Sequence, residues 1–168
     1  MWDAIFVFAG AKTRKLHAIS MFKEGKSGML ILSAGRFELR RFPELPIEPR
    51  RDLMGMAQPI PAPERHCFVI YPAGDVVWIK RLRLGTLTEV VGLRDWLRAH
   101  PDVRVLAIIS SGYHLPRIRL CCERLLPREV EVRYEASPEP NPSLRILLKE
   151  MMKRALYRIV LGVRANST

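Results

Sequence analysis

Three apolar segments constrain the fold of this 168-residue chain more than any other feature. Residues 5–8, 29–32 and 103–109 are predominantly apolar and rich in β-branched or aromatic side chains. A strand that is buried on both faces has this pattern, which is typical of a parallel sheet covered by helices on both sides. None of the segments approaches the ~18 residues that a membrane-spanning helix needs.

Helical segments alternate with these strands. The pattern predicts helices over residues 13–24, 86–99 and 116–126, and a last helix over residues 143–161 with Gly162 as its end. Residues 67–71 and 76–79 are strand-like and separated by a turn, so they fit a hairpin, and residues 130–134 form a final strand. The alternation predicts an α/β fold, a Rossmann-like three-layer sandwich with a mostly parallel sheet.

Two segments interrupt this order. Six of the 13 prolines fall within residues 43–63, which indicates an irregular excursion or a partly disordered loop over about residues 43–65. Three further prolines precede the last helix. We therefore divide the chain into an α/β domain over residues 1–137 and a C-terminal basic amphipathic helix over residues 138–168 that packs on the domain or extends it.

The charge of the chain needs an explanation. Its 28 Lys and Arg and 17 Asp and Glu leave a net charge of +11, which favours nucleic acid, an anionic membrane or small anions as partners. Nucleic acid is the weakest of the three because the cations are scattered and no nucleic-acid-binding motif is present. The odd number of cysteines and the lack of a signal peptide predict a cytoplasmic protein. If the C-terminal helix binds an anionic membrane surface, the protein would be peripheral to the inner membrane. No metal site and no particular cofactor is predicted.

Ligands of open α/β sheets bind outside the carboxyl ends of the strands. The first such loop runs from Gly10 to Arg14, and its cations oppose the helix dipole unless an anion lies there; the alternative is that they are solvated surface groups. The second contains Ser33 and Gly35, where small residues let the backbone approach a ligand or merely form a turn.

A third loop is the densest in polar groups. Ser110, Ser111, His114 and Arg117 follow the strand over residues 103–109, and Pro116 fits the first helical position. His114 is the candidate general acid or base and Arg117 the candidate charge stabiliser. The alternative is a capped helix start in which His114 bonds to the backbone.

A fourth segment carries Thr86 and Glu89. Their spacing fits a T-x-x-E capping box, which would only start a helix, and it equally fits a ligand-binding role.

Taken in order, these segments resemble the bacterial ElyC–SanA–YdcF family. Gly10, Arg14, Ala18 and Gly25 match its first strand and arginine-led helix, and residues 33–35 match its Ser-Gly-Gly turn. Thr86 and Glu89 match its Thr-x-x-Glu helix start, and residues 110–117 match its Thr-Ser-x-aromatic-His-x-x-Arg turn. The resemblance covers about residues 3–135. It implies a Rossmann-like fold, a ligand pocket at these loops and a role in envelope polysaccharide or lipid-carrier metabolism.

The sequence departs from the family pattern at one chemically relevant place. Lys80 stands where the family often has an acid, and Arg83 and Gly85 stand where it has Ser and Asn. If that acid takes part in a reaction, this chain binds its ligand without catalysing. We therefore expect the protein to bind a small phosphorylated or nucleotide-like anion at the carboxyl edge of the sheet, while the sequence leaves open whether it also processes that anion enzymatically. The expected binding residues are Gly10, Arg14, Ser33, Gly35, Thr86, Glu89, Ser110, Ser111, His114 and Arg117.

The alternative function is that of a non-catalytic peripheral membrane or nucleic-acid-binding protein. Its basis is the last helix, where Arg145, Lys149, Lys153 and Arg158 form a basic stripe beside a broad apolar face. The simpler interpretation of the same pattern is a helix whose apolar face packs on the sheet and whose charged face lies in water.

Overall fold

The computed structural model describes residues 1–165, and side chains as far as residue 162. Residues 166–168, the end of the segment assigned to the last helix, lie outside the described residues. The elements occur in this order: β1 (Ala4–Val7), α1 (Lys12–Lys23), β2 (Leu30–Gly35), a 3₁₀ helix (Leu39–Glu44), α2 (Leu53–Met56), a second 3₁₀ helix (Ala62–Glu64), β3 (His66–Tyr71), β4 (Asp75–Trp78), α3 (Gly85–Ala99), β5 (Val105–Ser111), α4 (Leu115–Leu125), β6 (Glu131–Ser137) and α5 (Leu144–Ala165).

The six strands form one sheet in the order β4-β3-β2-β1-β5-β6. β1 pairs in parallel with β2 and β5, and β5 pairs in parallel with β6. β3 and β4 form the expected hairpin, and β3 runs antiparallel to β2. The predicted α/β fold with a mostly parallel sheet is therefore confirmed, and its strand order reverses between β1 and β5.

Each face of the sheet has its own apolar core. Strand side chains alternate, so Ile5 and Val7 face the core under α1, whereas Ala4 and Phe6 face the core under α3 and α4. Helices cover both faces of the sheet, so the side chains on both sides of its central strands must be apolar, as the sequence predicted. The result is the three-layer sandwich of a Rossmann-like fold.

The proline-rich excursion contributes to the first of these cores. The segment contains short helices, and its buried apolar side chains pack in this core: Phe42, Leu45, Ile47 and Leu53. Prolines prevent regular structure here, but the apolar residues between them still anchor the segment. The structure thus describes residues 43–65 as an irregular excursion that contains short helices.

Two local predictions at helix ends are wrong, and one of the two interpretations of Thr86 and Glu89 is excluded. Gly162 does not end the last helix, which continues to Ala165. Thr86 and Glu89 do not form a capping box, since Leu84 is the N-cap of α3 and both side chains bond elsewhere. Pro116 is the second residue of α4 and not the first. Thr86 and Glu89 form longer-range hydrogen bonds instead, and the other two differences are shifts of a few residues at helix ends.

Helix α5 packs on α4. Tyr157 and Leu161 bury against the core of the α3–α4 side, while most of the other apolar side chains of α5 are exposed. Within residues 1–165, no helix has the length and apolarity that crossing a membrane requires.

Candidate functional site

The carboxyl edge of the sheet gathers polar side chains from distant parts of the chain. β1, β2, β5 and β6 all end there, and the antiparallel strand β3 begins there, because His66 pairs with Gly35. The point at which strand order reverses, between β1 and β5, is where open α/β sheets bind their ligands. The predicted site residues lie along this edge, and all but Gly10, Gly35 and Ser110 belong to three clusters.

Arg14 is the centre of the first cluster, on the α1 side of the sheet. Its Nε donates to Ser111 Oγ at 2.9 Å and to Glu139 Oε1 at 3.2 Å, and its Nη1 donates to the carbonyl of Ala9. Ser111 and Ser137 donate to the same carboxylate. Burial raises the pKa of Glu139, but these serine and arginine donors outweigh it and lower the pKa overall. Arg14 is thus a buried, paired cation and not a solvated one.

Arg117 is the centre of the second cluster, on the α4 side. Its Nε donates to Glu150 Oε2 at 2.9 Å, and its Nη1 donates to Thr86 Oγ1. The His114 Nδ1 lies 3.1 Å from the same Glu150 oxygen, and the Lys153 ammonium lies 3.2 Å from the other. The guanidinium also lies over the Tyr157 ring, 5.3 Å from its centroid. Helix α5 therefore completes this cluster.

Two titratable groups of the Arg117 cluster have shifted pKa values. Burial lowers the pKa of His114, although Glu150 partly opposes this. Burial raises the pKa of Glu150, but Arg117 and His114 outweigh it, so its pKa lies below the ordinary value. At neutral pH Glu150 is a carboxylate bound to a guanidinium, and His114 is a neutral imidazole.

The third cluster joins Ser33, His66 and Glu89 beneath α3. Ser33 Oγ lies 2.8 Å from His66 Nε2, and Glu89 Oε1 lies 3.8 Å from the same nitrogen. Glu89 also accepts a hydrogen bond of 2.6 Å from the Ala9 amide. In a hydrolase triad the serine and the acid contact opposite nitrogens of the imidazole. Here both contact one nitrogen and all three side chains are buried, so the cluster does not reproduce that arrangement.

Burial dominates the protonation of this His66 cluster. It raises the pKa of Glu89 to about 7, against the hydrogen bonds from Ala9 and Ser33. It lowers the pKa of His66 to about 4. Both groups are therefore poised to be neutral in the folded protein near pH 6, as expected where ionised forms lose their hydration.

The two predicted glycines share one carboxylate. The amides of Gly10 and Gly35 each donate to Glu38 at 3.1 Å, and Lys15 forms an ion pair with it. Ser110 differs from every other predicted residue, because its buried hydroxyl lacks a hydrogen-bond partner within the described residues. The structure thus places Arg14 in contact with Ser111. Thr86 and His114 both contact Arg117. Ser33 and Glu89 both lie next to His66.

Four residues that contact the predicted site residues were not predicted from the sequence to belong to the site: Glu38, His66, Glu139 and Glu150. Glu139 follows the carboxyl end of β6, so the strand-end rule that found Ser111 also applies to it. Glu150 is the single acid among residues 144–165, which is the signal of an inward-facing partner on a basic helix. His66 is placed only by the antiparallel register of β3, which the sequence does not reveal.

A groove in two parts lies beside these clusters, and it is lined in part by the proline-rich excursion. Its second part contains arginines that have no carboxylate partner among the lining residues. One part, of about 450 Å³, opens at Gly10 and contains Lys12, Lys15, Glu38 and Glu44. Its continuation, of about 570 Å³, shares Phe37 and Arg41 with the first part. The lining of this second part is Arg36, Phe37, Arg40, Arg41, Met54, Ala62 and Arg65. We call these two adjoining cavities together the arginine groove.

The charge balance of the arginine groove differs from that of the rest of the edge. Lys12 pairs with Glu44 at 3.0 Å and Lys15 pairs with Glu38. No carboxylate lines the second part among residues 1–165, and Arg36 lies 4.3 Å above the ring of Phe37, a side chain that is 81% exposed. Stacked guanidinium and aromatic groups at an open cavity are suited to a planar or phosphorylated anion.

Within the described residues, no group of three or more His, Cys, Asp or Glu side chains is arranged to hold a metal ion. Neither a protein-family model, nor a curated protein, nor a solved structure matches this chain.

Proposed function

We propose that the protein binds a small phosphorylated or nucleotide-like anion at the carboxyl edge of its sheet, in the arginine groove. The observation that carries the proposal is the second part of the groove, where four arginines meet and no carboxylate among the described residues neutralises them. Guanidinium groups bind phosphate through paired N–H donors, and each such charge-assisted bond contributes about 1.5–3 kcal/mol.

The groove also offers a surface for an aromatic ring. Phe37 is 81% exposed and borders both parts of the cavity. An exposed aromatic ring is a suitable surface for a nucleobase, and base–aromatic stacking contributes about 1–3 kcal/mol. A nucleotide fits both features, with its phosphates on the arginines and its base on Phe37.

The clusters of Arg14 and Arg117 have a different role in this proposal. Their guanidinium groups are already bound to Glu139 and Glu150, so they order the loops of the edge. His114 retains 20% side-chain exposure, although it lines neither part of the arginine groove. If the ligand is processed chemically, His114 is the proposed acid or base.

Only the resemblance to the ElyC–SanA–YdcF family bears on which phosphorylated compounds the groove would bind. We extend the proposal to the sugar nucleotides and polyprenyl phosphates of the bacterial envelope on that basis. All three cysteines are buried and free, which supports assignment to a reducing, cytoplasmic compartment.

A thermal-shift panel tests the proposal, with inorganic phosphate, AMP, ADP, a uridine-diphosphate sugar and farnesyl phosphate as probes. We expect at least one organic phosphate to raise the melting temperature through preferential binding to the folded state. The variant Arg40→Gln/Arg41→Gln should weaken that ligand at least about tenfold in titration calorimetry. Arg98→Gln/Arg124→Gln removes the same charge from exposed positions on α3 and α4 and should leave affinity unchanged.

Three results would overturn the proposal. The first is a panel in which no probe shifts the melting temperature. The second is an equal loss of affinity in both double variants, which would show a general charge effect. The third is a loss in His114→Ala without a loss in Arg40→Gln/Arg41→Gln, which would move the ligand from the groove to the start of α4.

A further inference from the structure

Helix α5 presents an apolar face to solvent. Glu150, Tyr157 and Leu161 are buried and mark its inward face, against α4 and the adjoining core. The opposite face carries exposed apolar side chains: Leu144, Leu148, Met151, Met152, Leu156 and Ile159. These recur every three or four residues, so they form one stripe along the helix, which we call the outer stripe.

The outer stripe is exceptional on this protein. Met152 is 74% exposed, Leu144 72% and Ile159 65%. Most of the large exposed apolar side chains among the described residues lie on this one helix. Contiguous exposed apolar surface marks an interaction site, whereas single exposed apolar residues do not.

Cations border the outer stripe on both sides. At 100° per residue, Lys149 and Lys153 lie along one flank and Arg154 and Arg158 along the other. The single basic stripe predicted from the sequence is therefore wrong, because Arg158 lies on the opposite flank from Lys149 and Lys153. The single acid of the helix, Glu150, faces inward and is bound to Arg117. The outer surface of α5 therefore combines an apolar centre with positive edges and has no carboxylate within the described side chains.

We propose that α5 docks the protein onto an anionic membrane surface, with the outer stripe in the lipid interface. An interfacial helix places its apolar side about 5–10 Å deep and keeps its lysines and arginines at the headgroups. Each Lys or Arg near an anionic leaflet contributes about 1 kcal/mol. Hydrophobic burial and electrostatic attraction thus favour the same orientation of the helix.

Charge complementarity selects a membrane over a second copy of the chain. If two outer stripes packed face to face, the lysine flank and the arginine flank of one helix would oppose cationic flanks of the other. Like charges at an interface cost several kcal/mol. An anionic bilayer instead supplies apolar depth and negative charge together.

A groove beside the arginine flank extends the positive surface. Arg119, Arg154 and Arg158 line it together with one acid, Glu123, so it stays positive on balance; it measures about 410 Å³ between α4 and α5. A headgroup phosphate at this position would contact guanidinium groups while the outer stripe contacts acyl chains.

Sedimentation with vesicles tests the docking. The probes are vesicles of pure phosphatidylcholine and of phosphatidylcholine with about 30% phosphatidylglycerol. We expect the full chain to bind the anionic vesicles, and binding to weaken as salt rises. Met152→Glu/Ile159→Glu should weaken binding at least about tenfold, because both positions are exposed and each change places a carboxylate in the interface.

A matched control separates the stripe from net charge. Leu16→Glu/Met56→Glu makes the same chemical change at two exposed apolar positions outside α5 and should bind like the unmodified chain. Circular dichroism checks that all variants remain folded. The proposal is overturned if the chain does not bind anionic vesicles, or if both double variants lose binding equally. It is also overturned if the chain is a dimer by light scattering that Met152→Glu/Ile159→Glu dissociates.

Discussion

Glu150 on the last helix binds Arg117 on α4, with a distance of 2.9 Å between the carboxylate oxygen and Nε. The two residues are 33 positions apart in the chain. Both side chains are about nine-tenths buried, and the same carboxylate also reaches His114. This contact fastens the C-terminal helix to the turn that carries the densest polar motif of the sequence.

The Glu150 contact should dominate the attachment of α5. Glu150→Ala leaves the Arg117 guanidinium buried without its anion, and breaking such a pair costs about 3–5 kcal/mol. We expect a decrease of about that size in the free energy of unfolding, measured by urea denaturation. Glu131→Ala is the control, since it breaks an exposed pair with Arg133 and should cost less than about 1 kcal/mol. Equal effects of the two variants would contradict the assignment.

The His66 cluster should produce opposing pH dependences of stability. The pKa of Glu89 rises from 4.5 to about 7, so the folded state binds more protons between these values and stability falls as pH increases. The pKa of His66 falls from 6.5 to about 4, so the unfolded state binds more protons there and stability rises as pH increases. The two contributions largely cancel between about pH 4.5 and 6.5.

Single substitutions should separate these two contributions. In Glu89→Gln the His66 effect remains, so the free energy of unfolding should rise with pH from about 4 to 6.5. In His66→Gln the Glu89 effect remains, so stability should fall from about pH 4.5 to 7. Denaturation at a series of pH values measures both slopes. Two variants with slopes of the same sign would show that burial is not the cause of the shifts.

Gly10 should tolerate no side chain. Its φ of 136° lies in the region that favours glycine, and a Cβ there would lie 2.8 Å from Arg14 Nη1. We expect Gly10→Ala to lower the free energy of unfolding by about 1–3 kcal/mol, because it adds backbone strain and displaces a buried guanidinium. Gly85→Ala is the control, since a Cβ there meets no atom within 4 Å and alanine favours the helix. A Gly10→Ala protein as stable as Gly85→Ala would disprove the packing argument.

Ser110 and Ser111 should respond oppositely to alanine. Ser110→Ala removes a buried hydroxyl that has no partner among the described residues, so stability should stay constant or rise by about 1 kcal/mol. Ser111→Ala removes the hydroxyl between Arg14 and Glu139 and should cost about 1–3 kcal/mol. Thermal and chemical denaturation of the two variants measure this difference. A loss in Ser110→Ala as large as that in Ser111→Ala would contradict it.

Sequence pattern was sufficient to predict the elements that local physics determines. Residues 5–8 and 29–32 are apolar at every position, which only a strand covered on both faces requires, so the parallel core was predictable. The strand-end rule likewise located Arg14, Ser111 and Arg117 at one edge. These inferences need only the two periodicities of strands and helices and the geometry of a parallel sheet.

The tertiary structure decided what those side chains do. Arg14 and Arg117 looked like free cations because their partners, Glu139 and Glu150, come much later in the chain, and no local pattern encodes that pairing. The same holds for α5, whose sequence has an apolar and a basic face. The packing of α5 on α4, through the buried side chains of Tyr157 and Glu150, determines that the outer stripe faces solvent. Long-range contacts decide such matters because their energy depends on which surfaces meet.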